Sequence, residues 1–80
     1  MVTIRLYAAA RAAAGVDSCD VPAGTLAEVL DGLSAAFPGL AAVLPRCSYL
    51  LDEVAIHGPH ADVVVIEGST LDVLPPFAGG

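Results

Sequence analysis

The sequence predicts an α+β fold, a mixed sheet packed on one main helix. Three stretches carry that reading. Residues 2–7, VTIRLY, alternate as a half-buried strand does: Val2, Ile4 and Leu6 fall on one face, Thr3, Arg5 and Tyr7 on the other. Residues 26–37 repeat Leu26, Val29, Leu30, Leu33 and Phe37 at helical spacing. Residues 70–74, TLDVL, alternate again, with Leu71 and Val73 on one face and Thr70, Asp72 and Leu74 on the other. A helix with one apolar stripe must bury it, and a sheet with one apolar face is the matching surface.

The remaining elements come in order along the chain. AAARAAAG, residues 8–15, reads as a short helix, because alanine is the best helix former and Gly15 is a natural stop. VDSCDV, residues 16–21, is a weaker strand with Cys19 and Val21 inward, broken by PAG at 22–24. TLAE at 25–28 is a capping box, in which the Thr25 hydroxyl serves the Glu28 amide and the Glu28 side chain reaches back. Glu28, Asp31 and Ser34 take the wet side of the long helix, and PG at 38–39 ends it. LAAVLP, residues 40–45, is a helical turn or a packed loop. YLLDEVAIH, residues 49–57, contains a strand with Val54 and Ile56 on one face. GPHAD at 58–62 is a turn, and VVVIEG at 63–68 a short β-branched run.

With the first and last strands parallel at the centre and the helix crossing over them, this order makes a β-grasp, or ubiquitin-like, fold. It predicts a mixed sheet of four to five strands on one main helix. Residues 1–74 form the domain, and residues 75–80, PPFAGG, a flexible tail.

Composition narrows the function. Eighty residues make one domain with a small core. The chain is 56% apolar and only 15% charged, so some apolar surface stays outside, as at a partner site. The longest charge-free run, Gly32 to Pro45, is interrupted by Pro38 and Gly39 and is shorter than a membrane span of about 20 residues. With no secretory signal in view, the expected compartment is the cytoplasm. The net charge is −6, with three arginines and no lysine, which leaves no cationic stripe for nucleic acid.

The usual reactive constellations are missing. Cys19 and Cys47 lie far apart without CxxC spacing and read as reduced, structural thiols. His57 and His60 stand in a turn, HGPH, without further clustered ligands, so no metal site is expected. Asp52 and Glu53, read within a strand, point to opposite faces and form no catalytic pair.

The tail remains. Pro75 and Pro76 cannot extend a ladder and project the last four residues away from the sheet. Phe77 is a large apolar group that asks for a pocket, and Ala78, Gly79 and Gly80 then thin to no side chain. At roughly 3.3 Å per residue the six tail residues reach about 20 Å. The carboxylate of Gly80 is the reactive group this sequence offers.

PPFAGG after GSTLDVL resembles the end of the ubiquitin-like sulfur carriers and, among them, the small subunit of molybdopterin synthase. IRLYAAARAAAG is similar to that family's first strand, its aromatic residue, and an arginine a few residues before a glycine, which puts Tyr7, Arg11 and Gly15 on family-like positions. The resemblance spans nearly the whole chain, although the third strand carries IHG at 56–58 where family members often have VNG. It implies that the chain is a carrier subunit and no enzyme on its own. A ubiquitin-activating-type enzyme would adenylate Gly80 with ATP, and a sulfur donor would convert it to a thiocarboxylate. That sulfur would go to cyclic pyranopterin monophosphate in the active site of the large subunit of molybdopterin synthase. No cofactor would be bound by the chain itself. Gly79 and Gly80 would form the reactive end, and Tyr7, Arg11, Leu74, Pro75, Pro76, Phe77 and Ala78 would meet the partners, with Arg5 and Asp72 beside Arg11 as a polar rim. A carrier serving thiamine, cysteine, thiolated tRNA or a secondary metabolite is the alternative. A ubiquitin-like modifier joined to a lysine of its target is a second, and a β-grasp binding module with an inert tail a third. Lacking lysine, the chain forms no lysine-linked polymer of itself.

Overall fold

The structure is a computed structural model that describes residues 1–76. Its main sheet has five strands: β1 (Val2–Leu6), β2 (Ser18–Val21), β4 (Ser48–Leu51), β5 (Val54–Ala55) and β7 (Thr70–Leu74). They lie in the order β2-β1-β7-β4-β5, with β1 and β7 parallel at the centre and every other pairing antiparallel. A second, two-stranded sheet joins β3 (Gly24–Thr25) to β6 (Val64–Val65). Two helices complete the domain, α1 (Ala8–Ala14) and α2 (Leu26–Ala36).

The period-2 pattern of β1 and β7 becomes the two faces of the sheet. Val2, Ile4, Leu6, Leu71 and Val73 are buried, and Leu26, Val29 and Leu33 of α2 close over them. Fully burying one such side chain is worth about 1.5–3 kcal/mol, which is what holds α2 on the sheet. Both halves of the expected capping box form: the Glu28 amide donates to Thr25 Oγ1 at 3.1 Å, and the Thr25 amide to Glu28 Oε1 at 2.9 Å. Those bonds hold the Glu28 carboxyl below its ordinary value. After α2, Pro38 opens a 3₁₀ turn (Pro38–Ala42), followed by a second (Leu44–Arg46). The chain packs tightly here, since a Cβ on Gly39 would lie 2.9 Å from the carbonyl oxygen of Ala13. Leu40 and Leu44 anchor the segment in the core, and the buried Tyr49 hydroxyl donates to the Leu44 carbonyl at 2.7 Å.

Four local expectations need correction. The stretch 49–57 is a hairpin, with Asp52 and Glu53 at its tip at φ 47° and 70°. Two consecutive left-handed residues make the tight turn whose twist suits adjacent strands. Val54 is therefore an edge residue, 68% exposed. PAG does more than break β2, because Gly24 begins β3. Of the run at 63–68, only Val64–Val65 is strand. Finally, β2 starts at Ser18, with Val16 and Asp17 in the connection. No helix among the described residues is long and apolar enough to cross a membrane.

Candidate functional site

The two central strands run parallel and end together, so the chain leaves β7 beside the start of α1. The Tyr7 amide donates to the Val73 carbonyl at 3.2 Å, and the Tyr7 carbonyl accepts from the amides of Ala10 at 3.1 Å and Arg11 at 3.4 Å. Tyr7 is thus pinned to β7 on one side and to α1 on the other. Ala8 makes the joint at φ 51°, a left-handed conformation that costs a non-glycine residue about 1–2 kcal/mol. Gly15 closes α1 at φ 77°, donating its amide to the Arg11 carbonyl at 2.9 Å.

A cavity of about 350 Å³ opens where the chain leaves the sheet. Tyr7 and Ala8–Ala10 form one wall, Ala42, Val43, Arg46 and Cys47 the second, and Pro75 and Pro76 the third. Most of this lining is methyl, methylene and ring carbon, which suits an apolar guest. Tyr7, 37% exposed, also borders a second concavity with Arg5, Arg11, Asp17 and Ser18. All three cationic side chains of the sequence therefore stand around this end of a chain whose net charge is −6.

The structure brings Tyr7, Pro75 and Pro76 together around the cavity and places Arg11 on the neighbouring concavity. Leu74 pairs in register with Ser48 and is half-buried on the outer face of the sheet, away from the cavity lining. The expected site residues Phe77, Ala78, Gly79 and Gly80 lie outside the described residues. Asp72, expected as a polar rim residue, is buried at 5% exposure. Its carboxylate takes two bonds from Arg5, Nε to Oδ1 at 2.5 Å and Nη2 to Oδ2 at 2.9 Å. Arg46, Val43 and Cys47 carry no periodic signal that would have placed them here. The punctuation by Pro38, Gly39 and Pro45 was the available hint that 38–47 folds as compact turns.

The cysteines behave as packed thiols. Cys47 donates to the Val43 carbonyl at 3.4 Å, and burial pushes its thiol and that of Cys19 above the ordinary value. Neither is an activated nucleophile. His57 and His60 are exposed, with the His60 ring edge-on to Tyr49 at 5.4 Å. Among the described residues, no three His, Cys, Asp or Glu side chains gather to hold a metal.

A parallel central pair made from the first and last strands and crossed by one long helix defines a ubiquitin-like β-grasp. Solved structures share it. Small archaeal modifier protein 1 from Methanosarcina acetivorans superposes with a TM-score of 0.83 at 22% identity, over 99% of this chain and 95% of that one. The Amycolatopsis orientalis BexX/CysO complex contains a chain matched at TM-score 0.82 and 23% identity, over 100% of both. The complex of subunits 1 and 2 of the molybdopterin-converting factor from Helicobacter pylori 26695 contains one matched at 0.69 and 22%, over 99% and 97%. No curated protein matches the sequence. The ThiS family profile matches residues 4–80, and the chain belongs to the ThiS family.

Proposed function

We propose that this protein is a sulfur carrier whose working group is the carboxylate of Gly80, and that it serves molybdopterin synthesis. The observation that carries the reading is the family match, which runs through the tail to residue 80. The geometry supports it: β7 ends at Leu74, and two prolines next to an apolar cavity begin the tail.

The chemistry is the repair of a poor electrophile. An ionised α-carboxylate, with a pKa of about 3.5, resists attack. An adenylating partner of the ubiquitin-activating type lets one carboxylate oxygen attack the α-phosphorus of ATP, releasing pyrophosphate and leaving a mixed anhydride. A sulfur donor attacks the Gly80 carbonyl carbon, AMP departs with the bonding pair, and a thiocarboxylate remains. In the active site of a large partner subunit that sulfur forms a bond to a carbon of cyclic pyranopterin monophosphate, water then cleaves the acyl–sulfur bond and returns the Gly80 carboxylate, and a second carrier repeats the transfer to complete the dithiolene. The chain supplies the reagent, and the adenylating partner would use the ATP. The terminal glycine offers the least hindrance at the reacting carbon.

Incubation with ATP, an adenylating enzyme and sulfide, followed by mass spectrometry, tests the carrier step. The peptide ending at Gly80 is expected to gain the mass difference between one sulfur and one oxygen. A gain on Cys19 or Cys47 instead would refute it. The pathway is tested by adding cyclic pyranopterin monophosphate and the large subunit of molybdopterin synthase. Dithiolene formation supports the assignment, whereas a thiocarboxylate that transfers no sulfur there moves the protein to another sulfur pathway.

A further inference from the structure

We propose that the Arg5–Asp72 pair is a register lock, two positioning residues that decide which residue of β7 lies beside which residue of β1 and so where the tail begins. Its consequence for sulfur transfer rests on the carrier reading above; the register itself does not.

Hairpins inherit their register from a tight turn, but β1 and β7 are separated by most of the chain and run parallel, so no turn sets theirs. The apolar pattern fixes only the face. Because side chains repeat every second residue, a slip by two leaves Leu71 and Val73 pointing into the core. In one direction that slip drives Pro75 into the ladder beside Leu6, which its missing N–H opposes. In the other, Leu71 comes beside Leu6 and Ser69 beside Ile4. Ser69 is already buried, so the core tolerates this arrangement better.

The slip would also carry Val73 beyond Leu6 and shift the pairing of β7 with β4, and the outer face adds a charge to that difference between the registers. In the observed one Arg5 lies directly opposite Asp72, and the guanidinium grips both carboxylate oxygens. In the slipped one Arg5 faces Thr70 and Asp72 faces Tyr7. A carboxylate at 5% exposure would then lose its cation, on the strand that Leu50 covers from the other side. An isolated buried charge is strongly disfavoured, so the pair excludes the alternative where apolar residues would accept it. The slip would move Pro75 outward by two residues, about 7 Å. Pro75 and Pro76 would leave the cavity that Tyr7 borders, and a tail of fixed length would present Gly80 at the wrong depth in a partner.

The test replaces both partners by leucine, Arg5→Leu with Asp72→Leu, which keeps the outer face filled without specifying register. Amide resonances of residues 2–7 and 70–76 and the nuclear Overhauser contacts of Leu6 with Val73 read the register directly. Two sets of resonances are expected, one with Leu6 beside Leu71, together with a fall of about tenfold in kcat for thiocarboxylate formation and little change in KM. A merely structural role would lower stability and leave one register. Arg5→Lys, which keeps charge but not the fork, gives the same readout in a milder form should the leucine variant not fold, and is expected to populate the slipped set partially. One native set of resonances in a folded variant overturns the lock, and unchanged kcat with two sets overturns its role in positioning. If the wild-type protein acquires no sulfur at Gly80, the carrier reading fails while the resonances still decide the register.

Discussion

The two ends of the central strand pair are built for different purposes. Where β1 and β7 end, there is an open apolar cavity, a left-handed Ala8, two prolines and all three arginines. Where they begin, acidic side chains are spent on closing the structure. The Met1 ammonium donates to Glu67, Thr3 Oγ1 donates to Asp20 at 3.2 Å, and Asp52 and Thr70 exchange two bonds of 2.9 Å. One end satisfies its polar groups internally; the other leaves Arg11, Arg46 and apolar surface to be met from outside. Unmet apolar surface gathers where proteins meet partners. An excess of negative charge elsewhere also discourages the chain from docking the wrong way round.

Deleting Gly80 is expected to abolish thiocarboxylate formation and leave the melting temperature unchanged, measured by mass spectrometry and calorimetry on one preparation. Tyr7→Ala and Phe77→Ala are each expected to weaken binding to the adenylating enzyme by roughly 2 kcal/mol, about thirtyfold, in calorimetric titration. Wild-type affinity in both would put the docking surface elsewhere. Reversing Arg11 and Arg46 to glutamate is expected to slow association by about tenfold at low salt, with the gap narrowing as salt rises, whereas Asp52→Lys at the opposite end leaves the rate within about twofold.

Burial raises the Tyr49 phenol and both thiols above their ordinary values, so the unfolded chain ionises first as pH rises. Their contribution is complete below the free thiol and phenol range of about 8.5–10 and is lost as pH climbs through the folded values. Urea midpoints should therefore fall on the alkaline side. In Tyr49→Phe that fall should be shallower, at a cost of about 1 kcal/mol at neutral pH for the lost bond to Leu44. At the acidic end, replacing Asp52–Glu53 by Asn-Gly is expected to add about 0.5–1 kcal/mol, because both residues already hold left-handed angles. Sulfur uptake should be unaffected, and a loss of it would mean that this end also meets a partner.

What the sequence made legible was whatever depends on period or on local hydrogen bonding. The strand faces of β1 and β7, the capped helix from Thr25 and the glycine stop at Gly15 all rest on neighbours within a few residues. The acidic hairpin tip was not legible, because tight two-residue turns announce themselves through Asn-Gly or Asp-Gly, and Asp52–Glu53 adopts the same angles without either. Nor was the cavity's second wall, since 3₁₀ turns leave no long repeat to read. Arg5 and Asp72 were each placed on the outer face, but their pairing depends on a register that no local pattern encodes.

The parallel pairing of β1 with β7 also has a consequence for biogenesis. β1 is synthesised well before β7, with most of the domain between them, so the centre of the sheet cannot close until β7 has emerged. Contacts of such long sequence separation slow folding relative to helical domains of the same size. Until they form, the cavity beside Tyr7 lacks the wall that Pro75 and Pro76 provide. A partner that recognises that cavity would thereby meet finished molecules and pass over nascent ones, so the fold would act as its own inspection step.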